Sequence, residues 1–253
     1  MRATMSLVRR ELGAYFISPI AYVVLATFLA VTGYLFYLSL GQLTARGPKG
    51  LSYPLALMVG DVAFWLVFLI IPPLLTMRLF AEERSTGTLE MLLTAPVRDW
   101  QIVLSKYVAC YLFYVLMWLP TLLYLPVLLD WQWGQAPGVD PWPVVSTYLG
   151  LALAGAMFLA LGLLVSSLVK SQIISAFLAL FAGLVFIVAG VWRPDMDTSS
   201  LAYQVLYYFT VPLHFERNFS RGLVDTRNLV LYGTVALFCL FLTVRSLESR
   251  RWR

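Results

Sequence analysis

Six apolar runs dominate the chain, at about 20–40, 55–77, 106–129, 144–169, 172–192 and 229–244. Each is near the roughly 20 residues that a helix needs to cross the hydrocarbon layer of a bilayer. The alternating segments of about ten residues that build a membrane β-barrel are not seen in the sequence. Of the 253 residues, 60% are hydrophobic and only 12% are charged, against about 25% charged in ordinary soluble domains. The pattern predicts an all-α integral membrane protein with six transmembrane helices, forming a single domain over residues 1–253. The first run is of full length and no Ala-x-Ala cleavage site follows it, so a retained span is expected there. Cys110 and Cys239 both fall inside predicted spans, where a thiol serves as a small apolar filler.

The segments outside these runs are few, and each has a reading. Residues 1–18 carry Arg2, Arg9 and Arg10, and Val8, Leu12, Tyr15 and Phe16 recur on one helical face,. This predicts an interfacial helix lying on the membrane, or an N-terminal extension of the first span. Pro19 separates the two, because the residue before a proline is pushed out of the helical region. Asp61, near the outer end of the second span, reads either as an N-cap at headgroup depth or as a functional intramembrane acid. Pro72 and Pro73 remove helix hydrogen bonds just before the charged stretch that follows, and predict a hinge. In the fourth span Ala152, Ala156 and Ala160 recur every four residues beside Gly155 and Gly162, which predicts a close packing face. Residues 193–228 predict an external amphipathic helical hairpin, with Leu201, Val205 and Tyr208 on one face and Phe215, Phe219 and Leu223 continuing it, resting on or dipping into the outer leaflet.

Basic residues orient the chain. With the termini, the stretch 78–105 with Lys106, and Lys170 on one side, about twelve of the eighteen Lys and Arg residues lie there,. Both termini and 78–105 are therefore expected in the cytoplasm, and 193–228 outside, in a multi-pass protein of a bacterial inner membrane. The net charge of +5 is distributed among termini and short loops, which argues against a nucleic-acid partner.

Catalytic constellations do not emerge from the sequence. His214 is the single histidine, which excludes paired imidazole metal sites, and the HExxH, GxSxG and GxxxxGK[ST] patterns are all missing. No catalytic, cofactor or metal site is expected, and any nucleotide chemistry must come from another chain. The densest charged stretch, 78–96, is then the place to meet a partner. Ser85-Thr86-Gly87 breaks the helix leaving the second span, Thr88 can cap a short amphipathic helix with Leu89, Leu92 and Leu93 on one face, and Pro96 stops it. Asp99 is expected to cap the helix rising into the third span. A helix of this kind docks into a protein groove, or else the stretch is a solvated turn joining two spans.

At these residues the chain resembles the ABC-2 class of ATP-binding-cassette transporter permeases, through Glu82-Glu83-Arg84, Gly87-Thr88-Leu89-Glu90, Leu92-Leu93 and Pro96. Two further places are similar to the gliding-motility-associated (Gld-type) permease branch. One is the opening, Arg10-Glu11-Leu12, Phe16 and Ser18-Pro19-Ile20-Ala21-Tyr22. The other is the external segment, His214-Phe215-Glu216, Asn218-Phe219-Ser220-Arg221-Gly222 and Asp225. The resemblance implies a six-span half-transporter that pairs with a second permease copy or a related permease over two cytoplasmic ABC ATPase subunits. ATP and Mg would be held by the ATPase, and the short helix would be the coupling helix. It also implies export, a gating role for the external segment, and room for an external or periplasmic accessory protein. Two other classes fit the sequence less well: an ATP-independent channel or carrier, which would need ionisable groups deep in the spans, and a membrane scaffold for a cytoplasmic ATPase.

Overall fold

A computed structural model describes residues 2–46, 54–88, 98–124, 141–188 and 201–251. Among the described residues the fold is helical throughout, with no strand. In chain order the helices are α1 (Arg2–Ile17), α2 (Pro19–Arg46), α3 (Pro54–Gly60), α4 (Val62–Thr76), α5 (Ala81–Ser85), α6 (Asp99–Trp118), α7 (Pro141–Leu168), α8 (Gln172–Val188), α9 (Leu201–Phe209), α10 (Val211–Arg217) and α11 (Thr226–Arg251). Short 3-10 turns follow α6 (Leu119–Leu123) and α10 (Phe219–Arg221).

Four segments are long and apolar enough to cross a membrane: Pro19–Ser39, Asp99–Leu123, Trp142–Leu168 and Thr226–Ser249. Val62–Thr76 and Gln172–Val188 are apolar but shorter. The continuous second span expected over 55–77 is broken. Gly60 ends α3, and Asp61, in extended backbone, starts α4 by accepting the Ala63 N–H at 2.9 Å. Asp61 is thus the cap of α4, and the 15 residues of that helix reach about 22 Å, short of the roughly 30 Å of a hydrocarbon core. The helix of the third apolar run begins at Asp99, ahead of the 106–129 span as the expected cap implies, but its α-helical part ends at Trp118. Arg98, not Asp99, holds the N-cap position, and the Gln101 side chain accepts its N–H at 3.0 Å. The last helix runs past the 229–244 span at both ends: Asp225 starts it at Thr226, and Arg245, Arg250 and Arg251, good helix formers, continue it beyond the apolar segment,.

Successive long helices run in opposite directions between two ends of the bundle. At one end meet the start of α2, the end of α4, the start of α6 and the end of α7, linked through Ser18, Arg78, Lys106 and Ser166. At the other meet α3, the start of α7, α10 and the start of α11. We call these the charged end and the aromatic end. The core between them is built on Phe64, Phe68, Tyr114, Met157, Leu159 and Leu163, all 1% exposed or less. On the small-residue face of α7, Gly155 and Gly162 meet neighbouring side chains most tightly, and Ala160 is fully buried against α11. A Cβ at Gly155 would collide with the Tyr114 ring, and one at Gly162 with the Thr76 side chain. Ala152 and Ala156 are only half-buried. The Tyr107 and Tyr114 hydroxyls donate to the carbonyls of Ala156 and Leu151 at 3.1 and 3.0 Å and fix α6 on α7.

Ser18 separates α1 from α2, so α1 is an independent helix. It packs along α6, with Tyr15 stacked on Phe113 at 5.0 Å and the Tyr15 hydroxyl donating to the Leu75 carbonyl at 2.9 Å.

Candidate functional site

The charged stretch leaves α4 through a tight turn that the rest of the charged end holds in place. Inside α4, Pro72 and Pro73 supply no N–H to the carbonyls one turn earlier. The helix nevertheless continues to Thr76, whose hydroxyl donates to the Pro72 carbonyl at 2.8 Å, and the Met77 N–H bonds the Pro73 carbonyl at 2.9 Å. The turn that follows is capped by one side chain from α7. Ser166 Oγ accepts the N–H groups of Phe80 and Ala81, both at 3.2 Å, and lies 3.3 Å from the Met77 carbonyl. Arg84 Nη1 donates to the Ser167 carbonyl at 3.2 Å. A lone hydroxyl and a guanidinium therefore satisfy the backbone where α4 stops and α7 ends. Gly87 then adopts a left-handed backbone, φ 73°, which glycine enters without steric cost.

Electrostatics ties the same stretch to α1 and α6. Lys106, two turns into α6, is 2% exposed. Its Nζ donates to Glu83 Oε1 at 2.6 Å and to Glu11 Oε2 at 3.3 Å, and lies 5.4 Å from the Phe80 ring centroid. One ammonium thus serves two carboxylates from two other helices. Their protonation equilibria part company. Burial pushes both up, but Lys106 and the neighbouring Arg10, 2.7 Å away, outweigh it at Glu11 and hold that carboxyl below 4.5. At Glu83 burial wins: Lys106 pulls down, the Glu11 charge pushes up, and the result lies above 4.5. Glu83 has the shorter contact with Lys106, but Arg10 hydrogen-bonds Glu11 directly and only its charge reaches Glu83, which also faces the Glu11 charge. Among the described residues, Glu83 Oε2 is buried without a hydrogen-bond partner.

Beside this cluster a cavity of about 640 Å³ opens between α1, α2, α4 and α5, with Ala21, Val24 and Leu75 on one wall and Arg78, Glu83 and Lys106 on the other. Arg78 crosses its mouth, 3.4 Å from Ser18 Oγ and 3.8 Å from Glu82. Of the sequence-predicted docking residues, Glu82, Glu83 and Thr88 line this cavity, Arg84 turns to the end of α7, and Gly87 lies in the turn between them. Leu89, Glu90, Leu92, Leu93 and Pro96 lie outside the described residues. Glu11 stands in the Arg10-Glu11-Leu12 motif, but nothing in the sequence ties it to Lys106, Ser166 or Ser167. The one available signal was a lysine following Ile102-Val103 inside an apolar helix, where an ionisable group marks function by default.

At the aromatic end the structure gathers His214, Phe215 and Phe219, and leaves Glu216 and Arg221 exposed. Phe215 and Phe219 are fully buried with rings 5.0 Å apart, seated on Gly150, where a Cβ would come within 2.8 Å of Phe219. Ser146 and Thr147 donate to the Phe219 carbonyl, the first at 2.5 Å. Trp65 meets Phe215 edge-on at 5.0 Å. Phe215 and Phe219 are therefore packed into the bundle on a glycine-floored socket, while Leu223 stays 60% exposed. Leu201 and Val205 of α9 do stay outside, 80% and 55% exposed. Gly222 takes φ 83° to turn the chain back, and Asp225 Oδ1 accepts the Arg227 N–H at 2.9 Å to start α11. His214, 1% exposed, lies 2.9 Å from the Tyr232 hydroxyl through Nδ1, and burial draws its pKa down to about 4.

Apolar helices of membrane length, crossing between a charged and an aromatic end, define a multi-pass helical membrane protein. The model of the ABC-2 family transporter protein matches residues 19–215, most of the chain. The chain belongs to that family, whose members are the non-catalytic permease subunits of ABC transporters. No curated protein matches it.

Proposed function

We infer that the chain is the transmembrane permease subunit of an ABC exporter, of the Gld-type branch. In this reading it has six spans, with α3 and α4 together forming the second and α8 the fifth. Both termini and the stretch 78–105 lie in the cytoplasm of a bacterial cell, and two permeases sit over two ATPase subunits that carry the ATP and Mg. The alternating helix directions and the basic residues at the charged end support this arrangement.

The observation that carries the reading is the family match over 19–215 combined with how the charged stretch is anchored. Ser166, Ser167 and Lys106 bind 78–84 to the ends of α6 and α7, and Glu11 adds α1. A push on a docking helix at 88–94 would then reach α1, α6 and α7 as one rigid unit, while Pro72 and Pro73 let the last turn of α4 follow. Leu89, Leu92 and Leu93 would enter the ATPase groove, with Glu82, Glu90 and Pro96 bounding the ridge, and the segment from His214 to Asp225 would gate the far side. Reconstitution in liposomes with the cognate ATPase tests the function: cargo movement that requires ATP is expected. Flux without ATP would make the chain a channel or carrier, and ATPase binding with no movement would make it a scaffold.

A further inference from the structure

The cavity at the charged end, of about 640 Å³, is within the size range of small-molecule sites. The anchoring contacts around it leave two polar groups on its wall with unused hydrogen-bonding capacity. The first is Glu83. Its Oε1 accepts from the Lys106 ammonium at 2.6 Å, but Oε2 is buried and, among the described residues, has no hydrogen-bond partner. Glu11, on the same wall, meets both Lys106 and Arg10, whereas Glu83 hydrogen-bonds one cation and shares it. Burial accordingly raises the Glu83 carboxyl above 4.5. A bare, buried carboxylate oxygen costs free energy that a cationic donor offsets. The acids do not come together as a metal-ligating group among the described residues, so an ammonium is the cation that fits. The second group is Arg78. Its Nη1 reaches Ser18 Oγ at 3.4 Å, its Nε has no hydrogen-bond partner, and half-exposed Glu82, at 3.8 Å, is too far for one. A guanidinium carries five donors, and four of these remain for an acceptor. The two groups are also ordered by depth. The side chains of Glu83 and Arg78 are 22% and 37% exposed, and Ile20 and Ile17, which line the cavity at the break between α1 and α2, are 42% and 84% exposed. From its most buried to its most exposed part the wall offers an acceptor for a cation, a donor for an anion, and apolar surface.

We propose that this cavity binds a phosphorylated primary amine that carries acyl chains, which in a bilayer is phosphatidylethanolamine: the ammonium donates to Glu83 Oε2, the phosphate accepts from Arg78, and the chains leave over Ile20 and Ile17. The head group has the same order as the wall, with ammonium innermost, phosphate next and chains outermost. The inference goes beyond the transport reading and needs no ATPase, so a failed transport assay leaves it standing. The test titrates the purified full-length chain in detergent with dihexanoyl-phosphatidylethanolamine, dihexanoyl-phosphatidylcholine and phosphoethanolamine, following binding by thermophoresis. The choline lipid keeps the phosphate, the chains and the positive charge but has no N–H, so the ethanolamine lipid is expected to bind about tenfold more tightly. Glu83→Gln should abolish that preference. Arg78→Gln, at a half-exposed side chain, should weaken both lipids about tenfold and keep their ratio. A general loss of structure would give one pattern in both variants, so the two different patterns separate the site from the fold, and the wild-type ratio decides without any variant. Phosphoethanolamine binding as tightly as the ethanolamine lipid would overturn the lipid assignment in favour of soluble phosphorylated amines. Equal binding of the two lipids by the wild type, binding of neither, a preference that survives Glu83→Gln, or unchanged affinities in Arg78→Gln overturns the proposal.

Discussion

The charged end and the aromatic end hold the same bundle together by opposite means. At the charged end a single buried ammonium bridges α1, α5 and α6, and a serine hydroxyl closes the turn to α7. At the aromatic end two phenylalanines fill a socket floored by Gly150, and hydroxyl groups bond to one carbonyl. Ion pairs between partly hydrated carboxylates can be remade when a helix shifts by an ångström, whereas a ring in a close-packed socket either fits or does not. A connection that has to move suits the first design, and a fixed seal the second.

The comparison is broken most severely by Phe219→Ala. Emptying that socket should cost about 3–5 kcal/mol, read as a fall in melting temperature in detergent. Lys106→Met comes next: it strands Glu11 and Glu83, whose side chains are 13% and 22% exposed, and should cost about 3 kcal/mol. If Lys106→Met were neutral, the charged end would be held by the Ser166 turn alone.

Acid gives a less obvious result. The folded pKa of His214, about 4, lies below the ordinary 6.5, so its neutral form stabilises the fold above pH 6.5 and that contribution is lost as pH falls from 6.5 towards 4. Up to about 3 kcal/mol is at stake. At the charged end the carboxylates act against each other. Glu83, raised above 4.5, gains stability on protonation, while Glu11, lowered below 4.5, loses it only as pH drops under 4.5. Acid should therefore loosen the aromatic end first, and His214→Gln should flatten the melting temperature between pH 6.5 and 4.5. The smallest effect sharpens the same contrast. At pH 7 Glu11→Gln should lower the melting temperature more than Glu83→Gln, because ionised Glu11 is favoured by the fold and ionised Glu83 is not,. Equal costs would mean that Arg10 plays no part in splitting the pair.

What the sequence revealed follows from range. Apolar runs and Pro19 are local signals, and they announced the helical class, the membrane and the separation of α1 from α2. Gly60-Asp61 was visible as a cap, but not as a full break, since the apolar residues on both sides read as one run. The Lys106 cluster was illegible because its partners are 95 and 23 positions away, and each charge alone reads as a loop or interface residue. The packing face of α7 was legible at Gly155, Gly162 and the fully buried Ala160, while Gly150, just over one turn earlier, was not, because only its partner rings mark it. The segment 193–228 reads as amphipathic in the sequence, and only the Gly150 floor tells that Phe215 and Phe219 turn inward.

The central claim is that the charged end exists to receive an ATPase. It is tested most directly by co-purifying the cognate ATPase with the full-length chain, wild type and Leu89→Glu with Leu92→Glu, and measuring ATP hydrolysis in each complex. The account predicts that the variant folds with an unchanged melting temperature yet neither retains the ATPase nor stimulates it. Retention and stimulation equal to wild type would contradict it.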